Sequence, residues 1–118
     1  MKLLLASGAI LGFVSVAFGA YSEHGLKPNV TAEDFRFLMT AVRYNQINSA
    51  VICSIGLFVL IDNKTSNKLF KISGLTFVAG TVLFSFSIYL SILLNISSIQ
   101  YLTPVGGITL MAAWMLLL

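Results

Sequence analysis

Apolar residues run through this chain in long blocks, and short polar breaks divide them into four. The first is Leu3 to Ala20 (LLLASGAILGFVSVAFGA); the second ends at Ile61 and has its wholly apolar core in Ala50 to Ile61. The third is Leu69 to Leu94 and the fourth is Leu102 to Leu118. A hydrocarbon layer about 30 Å thick is crossed by roughly 20 residues of helix rising about 1.5 Å each. The pattern therefore predicts a single transmembrane domain over 1–118, with spans at 3–20, 44–61, 69–94 and 102–118. The first block also has features of a secretory leader: a basic Met1-Lys2 start, and small residues in Ala17-Phe18-Gly19 at cleavage spacing. It is longer than the apolar region of such a leader, and we expect it to be retained as a span.

The second block differs from the rest because its upstream half, DFRFLMTAVRYNQINS, is amphipathic. Thr31-Ala32-Glu33-Asp34 has the form of a capping box with Asp in the Glu place, and Phe35, Leu38, Met39 and Val42 then recur at helical spacing. One long helix from about Ala32 to Ile61 is predicted, its first turns lying at the interface before it enters lipid; a break near Arg43 is the competing arrangement. The expected fold is all-α: an integral membrane antiparallel four-helix bundle with an amphipathic interfacial extension before the second span.

Composition agrees with the pattern. Of 118 residues, 58% are hydrophobic and 9% charged, too few charges to cover a soluble globule. The lipid bilayer is the expected surrounding. The net charge of +3 comes from cations set singly between apolar runs, which points away from nucleic acid. Those cations bear on orientation instead. Lys2, Lys64, Lys68 and Lys71 share one side of a four-span chain, against Lys27, Arg36 and Arg43 on the other, so both termini are expected in the cytoplasm. The single cysteine, Cys53, excludes an intramolecular disulfide and a multi-cysteine zinc site.

Small residues predict where the helices meet, because spans in lipid associate through close packing and interhelical hydrogen bonds. Gly8, Gly12, Ser15 and Gly19 fall within an arc of about 60° on the first helix, at about 100° per residue. The third carries two such faces: Gly74, Thr81 and Ser85 on one, Ser73, Gly80, Ser87 and Ser91 on the other. On the second, Gln46, Ser49, Cys53 and Gly56 span about 80° and are expected to face protein. In the fourth block, Thr103 reads as an N-cap and Pro104 suits the first turn, while Gly106 and Gly107 are expected to admit a neighbouring backbone.

Candidate chemistry gathers at one end of the spans. His24, Arg43, Tyr44, Gln46, Asn48, Ser85, Ser87, Tyr89 and Thr103 form the expected outer-end polar cluster. Arg43 stands out as a charge that would reach lipid depth, unless its long stem carries it to the headgroups. With Tyr44, Gln46, Asn48, Tyr89 and Thr103 it would form a pocket for an anionic headgroup or small solute. His24 beside Glu23 falls short of the three or four ligands zinc requires. The chain has no nucleophile elbow, no phosphate-cradling loop and no paired carboxylates outside loops. No catalytic, metal or cofactor-binding residues are assigned, and a non-enzymatic protein without a cofactor is expected.

The combination GAYSEHGL (19–26), YNQINSA (44–50), LFSFSIY (83–89), LTPVGG (102–107) and the late Trp114 resembles a bacterial family of small four-span proteins across essentially the whole chain. That family is catalogued as a domain of unknown function, number four-two-three, and is related to the animal transmembrane protein two-five-six. The resemblance implies an integral membrane fold and offers no established activity. Its members usually read G-A-F-G-A-H after the first span, and Ser-Gly-Ser where this chain has Ser85-Phe86-Ser87. They commonly carry a second histidine where this chain has Asn48, so a role needing two histidines is not expected here. The expected location is the bacterial cytoplasmic membrane, the alternative being the mitochondrial inner membrane. The expected function is an accessory component that packs within a homo-oligomer or larger membrane complex; the alternatives are a small-solute or ion permease and a lipid-headgroup-binding protein.

Overall fold

The computed structural model describes residues 2–62 and 68–118. Lys64, one of the cations behind the expected orientation, lies outside the described residues. Helix α1 is Lys2–Tyr21, and it continues through a wide, π-type turn, Ser22–Leu26, into the 3-10 turn Lys27–Asn29. The chain becomes extended at Val30 and Thr31 and re-enters helix as α2, Ala32–Ile61. The Thr31 hydroxyl accepts a hydrogen bond from the Asp34 N–H at 3.0 Å, which caps α2. No proline interrupts α2, and its one glycine, Gly56, sits late, so the helix runs unbroken through Arg43.

The third rod is built of α3, Lys68–Thr81, a second wide turn, Val82–Phe86, and α4, Ser87–Leu93. It ends in a Schellman turn: Asn95 takes the left-handed conformation (φ 57°), and the Ile96 N–H donates to the Ser91 carbonyl at 3.0 Å. A 3-10 turn, Ser97–Tyr101, then leads into α5, Leu102–Leu117. This entry corrects the expected cap. Tyr101 occupies the cap position without a side-chain bond, and Thr103 lies inside α5, where its hydroxyl meets that of Ser87 at 2.6 Å. The incoming 3-10 turn already directs the chain into the helix, which frees Thr103 to bond across rods. Among the described residues, four helical rods are long and apolar enough to cross a membrane, and the longest dimension is 50 Å.

The rods meet where side chains are small. Along the α1/α2 seam Leu5 faces Gly56, Gly8 faces Cys53, Gly12 faces Ser49 and Gly19 faces Val42, so the pairs run in opposite senses along the two helices. Between the third rod and α5 the series is Ser73 with Ala113, Gly80 with Leu110, Phe84 with Gly106 and Ser87 with Thr103, again in opposite senses. The third rod meets α2 through its other face: Gly74 packs against Ile55, and the Ser85 hydroxyl donates to the Ala41 carbonyl at 2.8 Å. Interhelical bonds of this kind contribute about 0.6–2 kcal/mol each in a bilayer. Leu4, Leu11, Ile52, Ile55, Phe77 and Leu110 fill one buried apolar cluster, and Leu38, Ala41, Ile88 and Tyr89 another.

Two details of the small-residue reading change. A β-carbon on Gly107 would lie 3.9 Å from the Phe84 ring, an ordinary contact, so only Gly106 of the pair is pressed against a backbone. Gln46 is exposed rather than facing protein. The buried arc of α2 holds Leu38, Ala41, Asn45, Ser49, Ile52 and Gly56, and Gln46 lies about 100° round the helix from Asn45.

Candidate functional site

The residues expected to form one polar cluster are divided by the packing into separate groups. Tyr89 is buried, stacks on Phe18 with ring centroids 4.0 Å apart, and accepts a hydrogen bond from the Asn45 amide at 3.1 Å. Ser85 is occupied by the Ala41 carbonyl, and Ser87 by Thr103 and the Phe84 carbonyl. Farther along, Ser91 accepts from the Gln100 amide at 3.1 Å. Each of these links joins neighbouring elements.

His24, Arg43 and Gln46 are all exposed. His24 sits in the wide turn after α1, next to Glu23, which forms an exposed ion pair at 3.9 Å with Lys27 of the following 3-10 turn. Such a pair contributes little. The pocket expected around Arg43, Tyr44, Gln46, Asn48, Tyr89 and Thr103 does not form as one space among the described residues, because Arg43 and Gln46 are exposed and Tyr89 and Thr103 are committed to interhelical bonds. No group of three or more His, Cys, Asp or Glu comes together among the described residues.

Tyr44 and Asn48 are brought together. They lie one turn apart on α2 and, with Phe84, Gly107, Leu110, Met111 and Trp114, line a crevice of about 270 Å³. Its rim is exposed, with Tyr44 44%, Trp114 47% and Met111 68% open. Asn48 is 2% exposed, and its amide nitrogen has no hydrogen-bond partner among the described residues. A second crevice of about 280 Å³ lies beside Thr103 and Pro104, between Phe37, Thr40 and Gln100. A third, of about 380 Å³, is bounded by Ser54, Phe58, Phe70 and Trp114.

The residue that sequence reasoning missed is Asn45, which is fully buried and carries a side-chain bond from α2 to the third rod. The available signal was periodic: Asn45 falls on the same face as Leu38, Ala41, Ser49 and Ile52, the face that proves to be buried.

Comparison with known proteins follows the same lines. The family described as "Protein of unknown function (DUF423)" matches residues 18–107. The "UPF0382 inner membrane protein YgdD" of Escherichia coli strain K12 is 33% identical over 117 residues, covering 99% of this chain and 87% of that protein. The "UPF0382 membrane protein YwdK" of Bacillus subtilis strain 168 is 30% identical over 120 residues, covering 99% and 94%. The "UPF0382 membrane protein SH2409" of Staphylococcus haemolyticus is 31% identical over 118 residues, covering 100% and 93%. No solved structure matches the chain.

Proposed function

Because this chain belongs to the family described as protein of unknown function DUF423, with membrane proteins as its relatives, we propose that it is a non-enzymatic accessory component of the bacterial cytoplasmic membrane. In this reading it packs against copies of itself or within a larger membrane complex. The observation that carries it is the use of the polar side chains between the rods: Asn45, Ser73, Ser85, Ser87 and Thr103 all bond across elements and hold the rods together. Much of the outside is left open to other molecules. Leu3, Ile10, Phe13 and Val16 of α1 are exposed, as are Val105, Ile108, Met111 and Met115 of α5. Both flanking helices thus present broad apolar faces to lipid or to another subunit.

Four crossings return the chain to the side from which it started. Lys2, Lys64, Lys68 and Lys71 in the sequence, against Lys27, Arg36 and Arg43, then support a cytoplasmic position for both termini, by the excess of cations expected on that side.

Association is tested by replacing Cys53 with serine and placing one cysteine on an exposed face, as Phe13→Cys or Met115→Cys. Oxidation in native membranes is expected to produce a cross-linked band from at least one of them, and mild-detergent extracts to show a mass above the 12.8 kDa protomer plus its micelle. A monomer in both assays, with no copurifying protein, contradicts the reading.

A further inference from the structure

Among the described residues two buried side-chain polar atoms lack a hydrogen-bond partner, the Ser22 hydroxyl in the first wide turn and the Asn48 amide nitrogen, and Asn48 borders a crevice. Asn45, on the same helix, has its amide bonded to Tyr89, whereas the Asn48 nitrogen is buried without a partner among the described residues, in a side chain that lines the crevice between α2, the second wide turn and α5. In hydrocarbon an unpaired amide costs several kcal/mol, which favours a ligand that supplies the missing acceptor. Tyr44 and Trp114, both part-exposed and lining the same crevice, carry a hydroxyl and an indole N–H that likewise have no hydrogen-bond partner among the described residues. All three groups can donate.

The lining also limits what an occupant can be. Among the described residues no charged one borders the crevice, so a phosphate or carboxylate would find no counter-ion among them. The polar contacts suit a neutral acceptor, and the rings of Tyr44, Phe84 and Trp114 provide flat apolar walls. Depth narrows the choice further. Ser49, the neighbour of Asn48, faces Gly12, which lies midway along α1 (Lys2–Tyr21), so the amide sits near the middle of the span. Phospholipid ester carbonyls belong at the interface, about 15 Å away in a core about 30 Å thick. A neutral ring that moves within the hydrocarbon reaches this depth without such a displacement. The volume, about 270 Å³, is near the lower end for ligand pockets, at about 300 Å³, and gives room for one substituted ring with its tail left among lipid.

We infer that the Tyr44, Asn48 and Trp114 crevice binds the head of an isoprenoid quinone, the Asn48 amide turning about its Cβ–Cγ bond to donate a hydrogen bond to a ring carbonyl. The assignment requires the membrane setting and is independent of whether the protein associates with itself or a partner.

Trp114 is the only tryptophan, so its fluorescence reports directly on the site. Decylubiquinone titrated into the full-length protein in detergent is expected to quench it saturably. Asn48→Leu keeps most of the side-chain volume and removes the donor, and should weaken binding about tenfold or more. Its resistance to unfolding by SDS should be equal to or above that of the parent, because the unpaired amide is gone. Gly107→Leu, which fills the crevice from α5, should abolish saturation. Gln46→Leu, on the exposed face, should leave binding unchanged. Quenching that stays linear with the same slope in all variants overturns the site, and so does saturable binding that neither Asn48→Leu nor Gly107→Leu alters. Displacement by diacylphosphatidylglycerol with the affinity of the quinone would assign the crevice to an ester lipid and overturn the quinone assignment.

Discussion

Alanine at Gly106 is expected to lower stability by about 3 kcal/mol, whereas alanine at the adjacent Gly107 should cost less than about 0.5 kcal/mol. A β-carbon on Gly106 would overlap the Phe84 backbone nitrogen and lie 2.7 Å from both the Leu83 carbonyl carbon and the Phe84 Cα. These are backbone atoms of the second wide turn, held between α3 and α4, and they cannot rotate out of the way as a side chain can. The methyl must push α5 off the third rod, which also lengthens the Ser87–Thr103 and Ser73–Ala113 contacts on either side. Gly107 meets only the Phe84 ring at 3.9 Å, and the new methyl fits beside it. Titration with SDS, followed by circular dichroism, should show the Gly106→Ala midpoint far below the parent and Gly107→Ala close to it. Equal midpoints for the two variants would mean that α5 does not lie on the wide turn.

The α1/α2 seam gives the second large effect. Alanine at Gly56 would put a β-carbon 2.9 Å from the Leu5 backbone nitrogen and 3.0 Å from its Cα. Helix propensity favours alanine over glycine by about 1 kcal/mol. The overlap with backbone should outweigh that gain, leaving a net loss of about 2 kcal/mol. Gly12 supplies the comparison on the same seam, because its β-carbon would lie 3.6 Å from the Ser49 Cβ, an ordinary contact. There the propensity term stands unopposed, and Gly12→Ala should be neutral or stabilising by up to about 1 kcal/mol. The same SDS titration reads both. A Gly12→Ala loss as large as that of Gly56→Ala would contradict the pairing of Gly12 with Ser49 and of Gly56 with Leu5.

The contrast shows what the sequence carries and what it leaves out. A stripe of small residues follows from helical spacing, and that spacing is enough to place the contact faces of the first and third helices. Which member of a stripe is in tight contact depends on where two helix axes come closest, and Gly12 and Gly107 look no different from Gly8 and Gly106 in sequence. The Thr31 cap was legible because capping is local chemistry, completed within three residues. Thr103 offered the same local signal, but the 3-10 turn before it changed its place in the helix and turned its hydroxyl toward Ser87.

The wide turns at Ser22–Leu26 and Val82–Phe86 were not legible, since no residue type marks a helix about to take one extra residue per turn. The second of them largely decided the fate of the candidate site. It sets Phe84 against Gly106 and beside Tyr44, whose ring meets it edge-on at 5.2 Å, and so walls off the crevice over Asn48 from the bonded pairs at Tyr89 and Thr103. A regular helix wheel cannot make that division. It groups Arg43, Tyr44, Gln46 and Asn48 by proximity in sequence, although only Tyr44 and Asn48 border a common space.

The register of α1 against α2 inside the membrane is the central claim, and a disulfide tests it most directly. In a chain with Cys53→Ser, cysteines at Gly12 and Ser49 would have β-carbons 3.6 Å apart, within the roughly 3.5–4.5 Å that a disulfide spans. Oxidation of intact membranes is predicted to close this bond nearly completely and to leave a Gly12→Cys, Ala50→Cys pair reduced, because Ala50 faces away from the seam. Failure of the first pair to close, or equal closure of the second, would contradict the account.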